Sequence, residues 1–312
     1  MGEFYILQLL RIAPPSTVKP PTATVHRHRH LQGSSYMIMP SLTLYFTKFH
    51  ELKKMRKYSV QTLLLAFASF LLLFFLSPSI PQPQRYHHFA DNRNFFGIPN
   101  ALNVISNFPF MVIGLIGLVL CHRRSYFNIS LEGELWGWKC FYAGVTSVAF
   151  GSSYYHLHPD NASLLWDRIP MTIAFASLMA TLIIERIDPK KGTHAIVPLI
   201  MIGIISNVYW RFFGDIRLYI LAQSAACIAI PLMATLLPPM YTHSPYWLWA
   251  SGFYLLAMLQ ETTDRVIYAL TFHTVSGHTL KHLSAAMVPV ILTLMLAKRS
   301  VYSGKLLHAK SA

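Results

Sequence analysis

Apolar residues recur along this chain in blocks of about twenty, parted by short segments that hold most of its charge. Helical blocks of that length match the hydrocarbon thickness of a bilayer. The pattern predicts spans at 101–121, 137–156, 166–185, 195–213, 217–237, 245–262 and 277–297. A further block reads YSVQTLLLAFASFLLLFFLSPSI from Tyr58 and follows the basic run KKMRK, Lys53–Lys57. That arrangement predicts a signal-anchor-like helix over 59–80. The expected fold is therefore all-α: a polytopic membrane protein with a seven-transmembrane-helix core in 89–297 and an added N-terminal hydrophobic helix. Outside these lie a basic extension, 1–58, and a basic tail, 298–312. The extension reads either as disordered or, being basic, hydroxyl-rich and poor in acids, as an organellar transit peptide.

Composition agrees. The 312 residues are 54% hydrophobic and only 12% charged, about half the charge of a typical soluble domain. The net charge of +14 raises the question of nucleic acid. Nine of the 26 Lys and Arg fall in the first 58 residues, however, and most others cluster between apolar blocks. Membrane topology accounts for that distribution, and no nucleic-acid partner is expected. With the tail taken as cytoplasmic, Arg123, Arg124, Arg186, Lys190, Lys191, Lys298 and Arg299 share that side. Cys121, Cys140 and Cys227 form neither a CxxC pair nor an even set, so neither a disulfide framework nor a thiolate metal site is expected.

Histidine is unfavourable in hydrocarbon unless it is paired, hydrated or bound to a metal. His278 and His282 stand one helical turn apart at the start of the last block, and His156 ends another. Ser152 shares a helix face with His156, four residues before it. Asp167 follows eleven residues after His156, beyond a Pro-Asp-Asn turn that sends the next helix back antiparallel. All five residues then lie at the non-cytoplasmic end. Three imidazoles around Zn²⁺ leave a fourth position for water, whose pKa falls to about 7. Asp167 is then the proton acceptor, and Ser152 hydrogen-bonds a developing oxyanion or orients a ligand. Taken singly, each histidine fits a hydrogen-bonded interior position; shared depth, paired spacing and the nearby acid point to a metal. His158, two residues from His156, reads as a loop or supporting residue. Glu261, Asp264 and Arg265 read as support for His278 or a lipid head-group contact, or as an ion pair at a helix end. Trp210, Arg211, Tyr246, Trp247 and Trp249 read as an interfacial aromatic belt.

The NxxSN element in NALNVISNFPF, the SxxxH with Asp eleven residues on, the terminal HxxxH and the order of spans together resemble the alkaline ceramidase family. These motifs cover about residues 89–297. The wider group of seven-helix membrane hydrolases also holds the progestin and adiponectin receptors and Per1-like proteins. The resemblance implies zinc on His156, His278 and His282, with Ser152 and Asp167 completing a site that hydrolyses the ceramide amide to sphingoid base and fatty acid. It implies a multi-pass protein of the endoplasmic reticulum or Golgi whose partners are the bilayer and a ceramide-like lipid, with no obligate protein partner. One departure concerns calcium. Where alkaline ceramidases carry an acidic segment resembling a calcium loop, FADNRNFFGIPN offers Asp91 with the amides Asn92, Asn94 and Asn100. One carboxylate among amides predicts weak Ca²⁺ binding at most, with Asn94 and Asn100 serving as helix caps and Asn103 and Asn107 as interhelical hydrogen-bonders. Two rival readings share the fold: a lipid-sensing receptor with a structural zinc, and a zinc-dependent lipid ester hydrolase.

Overall fold

A computed structural model describes residues 61–302, apart from 63, 66, 70, 73–75 and 124–125. The extension 1–58 and most of the basic tail lie outside the described residues. Among the described residues the chain is helical, with isolated bridges and no strand. Those described between 61 and 76 are helical, as the N-terminal hydrophobic block predicts. The elements that follow are α1 (Ala101–Ile105), α2 (Phe108–Arg123), α3 (Glu132–Leu157), α4 (Asn161–Arg186), α5 (Pro189–Phe213), α6 (Arg217–Leu236), α7 (Tyr246–Thr262), α8 (Asp264–Leu270) and α9 (Gly277–Lys298).

Five spans among the described residues are long and apolar enough to cross a membrane: α1 with α2, α4, α5, α6 and α9. The other two predicted spans take different forms. α7 is 17 residues long, and α3 carries Glu132, Glu134 and Lys139 in its first two turns. The first predicted span also breaks. At Ser106 and Asn107 the backbone turns, Asn107 N–H donating to the Val104 carbonyl, before α2 begins.

Local chemistry sets the helix ends near the site. Asp160 caps α4 by accepting from Ala162 and Ser163 N–H, and the Ser163 hydroxyl closes a capping box. Those hydrogen bonds, the Ser163 N–H foremost, hold the Asp160 carboxyl below the usual carboxylate range. Ser276 caps α9 by accepting from Thr279 N–H, and Asp264 Oδ1 accepts from His278 N–H at 2.7 Å.

The centre of the bundle is the antiparallel pair α3 and α4. Gly137, Gly144 and Gly151 recur every seven residues on α3, on the face that meets α4. A Cβ on Gly137 would stand 2.4 Å from Thr181 Oγ1, and one on Gly151 2.0 Å from the Trp166 carbonyl oxygen. Pro170 has no N–H to give that carbonyl four residues back, so the glycine backbone packs against an oxygen the helix leaves bare. This register sets Ser152, next to Gly151, against Asp167, next to Trp166.

Several residues assigned to membrane surfaces are instead interior. Arg299 and Arg186 are buried at the end away from the histidines. Arg299 donates to Glu185 and Glu134 and lies 3.8 Å from the Tyr241 ring, tying the end of α9 to α3 and α4. Arg186 donates to the Leu237 carbonyl and to Ser244 Oγ. Trp247 packs against Trp138 in the core, the rings tilted and 5.7 Å apart, and Trp210 is buried beneath the Arg168 guanidinium, 4.4 Å away. Of the predicted belt, Trp249 is exposed. Lipid-facing and bundle-facing positions are equally apolar in such a protein, so sequence pattern alone does not separate them.

Candidate metal centre

His156 arrives in the last turn of α3, and His278 and His282 in the first two turns of α9. All three are buried. Their rings form a near-regular triangle, each pair of centroids 4.9 Å apart, and one ligand nitrogen from each lies within 4.8 Å of the others. Ser106 sets the tautomer of His282. Its single hydroxyl hydrogen goes to the Asn103 carbonyl at 3.0 Å, so it accepts from His282 Nδ1–H at 2.7 Å. That leaves His282 Nε2 as a lone pair.

This lone pair faces His156 Nε2 across 3.3 Å. Two nitrogens this close need a proton or a shared cation between them. Nitrogens bound about 2.05 Å from one tetrahedral ion are themselves roughly 3.3 Å apart, so the spacing fits a tetrahedral metal. His278 Nε2 is buried with no hydrogen-bond partner, which is uncommon in a protein interior. An all-imidazole donor set with such an orphaned nitrogen is compatible with a divalent metal such as zinc. The further pair, Glu261 Oε1 and His278 Nδ1, stand 4.0 Å apart.

Asp167 and Ser152 lie beside the triangle. Asp167 and Ser152 are both buried. Both line a mostly apolar cavity with His282, Asn107 and Lys281, closed further in by Phe141, Leu178 and Val288. Phe89 covers the histidines from outside, its ring 4.6 Å from His156 and 5.0 Å from His278. The segment that carries Phe89 is pinned on both sides, by His87 to Tyr155 and Asn161 and by Ala90 N–H to Asp264.

Sequence reading missed Phe89, Ser106 and Lys281. Ser106 lies within the NxxSN element and Phe89 opens the FADNRN segment, but neither residue type has a ligand's chemistry, and Lys281 resembles a charge at a helix surface. His158 stays outside the triangle, at the end of α3, where its carbonyl accepts from Ser163. The calcium candidates do not converge. Asp91 gives both oxygens to Arg93, at 2.9 and 2.7 Å, Asn92 and Asn94 are exposed, and Asn100 Nδ2 donates to the His156 carbonyl. Asn100 adopts a left-handed backbone before α1 and makes no side-chain cap. Asn103 does reach between helices, accepting from Thr279 Oγ1 at 2.9 Å.

Apolar helices enclosing three histidines, an acid and a serine define a membrane protein with a buried candidate metal centre. The Ceramidase family model matches residues 97–246, and this match supports an alkaline ceramidase assignment for the chain. The matched stretch contains Ser152, His156 and Asp167; the histidine pair of α9 lies beyond it. No curated protein matches the chain. The family supports a ceramide-hydrolysing function, a lipid substrate and an amide as the bond acted on.

Proposed function

We propose that the protein is a zinc-dependent intramembrane hydrolase that cleaves the amide of ceramide or a related sphingolipid into a sphingoid base and a fatty acid. The observation that carries this reading is the buried three-histidine cluster, one member of which, His282, lines an apolar cavity together with Asp167. His156, His278 and His282 would hold the zinc, which when bound polarises a carbonyl and lowers the pKa of water in the site to about 7. Asp167 accepts a proton from the attacking water and returns it to the departing amine nitrogen. Ser152 lines the cavity with that carboxylate and orients the bound ligand. An alkyl chain lies among Phe141, Leu178 and Val288, and Phe89 keeps bulk water from the histidines.

Asn107 favours an amide over an ester. Its Nδ2 donates to the Asn103 carbonyl at 2.8 Å, which fixes the side chain and turns Oδ1 away from that contact. Oδ1 is buried without a partner, on a residue that lines the cavity. It suits an amide N–H, which an ester lacks. Calcium takes no part in this reading, and the membrane is that of the endoplasmic reticulum or Golgi.

Purified protein given labelled ceramide is expected to release fatty acid, with the rate unchanged by a calcium-selective chelator. Cleavage of an acyl ester of the same chains with the amide left intact would instead support the ester hydrolase. Metal-loaded protein that binds ceramide without cleaving it would support the receptor.

A further inference from the structure

Amide hydrolysis places negative charge on the carbonyl oxygen as water adds to the carbon. In an apolar cavity a fixed donor or cation aimed at that charge adds to the polarisation that a bound metal would supply. Ser152 lines the cavity but offers a single neutral hydroxyl hydrogen. Tyr254, another polar lining residue, accepts from Gln223 Nε2 at 3.0 Å and likewise offers one neutral hydroxyl hydrogen. Asn107 turns an oxygen, not an N–H, away from its hydrogen bond. Among the described residues that line the cavity, Lys281 is the one lysine or arginine, and so the one group that brings both N–H donors and a full positive charge.

Lys281 sits between the two histidines of α9, its side chain 12% exposed. Its Nζ donates to Glu261 Oε1 at 2.6 Å, and Glu261 also accepts from Tyr86 OH at 3.2 Å. An ammonium has three N–H groups, so the pair with Glu261 leaves donors for the cavity. Glu261 therefore fixes both the place and the charge of Lys281.

We propose that Lys281 is a further catalytic residue, which donates to the carbonyl oxygen of the bound amide and steadies the negative charge that develops there, with Glu261 as its positioning residue. This rests on the hydrolase reading above. In the balanced step, water oxygen bonds to the carbonyl carbon, Asp167 takes the water proton, and the C=O electron pair moves onto the oxygen facing Lys281. The pair then returns, the C–N bond breaks, and nitrogen leaves with the proton from Asp167, giving a carboxylic acid and an amine. Lys281 keeps its protons throughout.

A buried ion pair also has a structural effect, and a double substitution separates the two. Removing one partner strands the other's charge, whereas removing both leaves none stranded. The full chain carrying Lys281→Met, Glu261→Gln or both is assayed for ceramide turnover and metal content. Lys281→Met is expected to lower kcat about 10²- to 10³-fold, with KM and metal content close to wild type. The double variant should stay as slow as Lys281→Met. Recovery of the double variant towards wild-type turnover would overturn the proposal and make the pair structural, as would metal loss from folded Lys281→Met. If that single variant does not fold, the double variant's turnover decides. A metal-loaded wild type with no ceramide turnover would overturn the hydrolase reading itself.

Discussion

Alanine in place of His278 is expected to strip the purified protein of metal and of turnover together. The nitrogen lost is His278 Nε2, which no protein group satisfies, and the two nitrogens that remain do not complete a three-ligand site. His156→Ala and His282→Ala should behave alike, since the triangle has near-equal sides. Changing a residue that only orients a metal-binding histidine typically weakens the site about 10- to 100-fold. Losing a histidine itself should therefore exceed that range. Ser106→Ala gives the graded comparison, because it removes the acceptor for His282 Nδ1–H and leaves all three imidazoles in place. Metal analysis and ceramide assay on the same samples check both effects; full occupancy in all three alanine variants would rule out the ligand set.

Asp167→Asn should do the reverse, keeping the metal and the folded bundle while losing turnover. The side chain keeps its size and its place against Ser152 but no longer accepts a proton at neutral pH. A positioned general base contributes about 10² to 10⁴ in rate, and a loss of that size is expected. Released metal in Asp167→Asn with metal retained in His156→Ala would exchange the roles of acid and ligand.

The candidate site was legible because its spacing is helical. Four residues from Ser152 to His156 and four from His278 to His282 each put two side chains on one face, and the Pro-Asp-Asn turn before Asp167 told how the next helix returns. The glycines of α3 carry a seven-residue rhythm that explains why α3 and α4 lie so close, yet in an apolar run they look unremarkable among other small residues. Phe89 and Ser106 meet the histidines only through tertiary packing, which no local pattern encodes. Lys281 and Glu261 are 20 residues apart and read as separate charges until α7 and α9 bring them to 2.6 Å. The burial of Arg299 and Trp247 was hidden for the opposite reason: polar or aromatic residues near the ends of apolar blocks suit the membrane surface, and here they close the bundle from within.

The central claim is that bound zinc on three histidines makes this protein a ceramide hydrolase. Its most direct test is to strip the purified wild-type protein with a zinc chelator, follow fatty acid release from labelled ceramide, and then return zinc in measured amounts. The account predicts that release stops in the stripped protein and returns in full as zinc reaches one per chain. Undiminished release from metal-free protein, or none from protein that has taken up one zinc per chain, would contradict it.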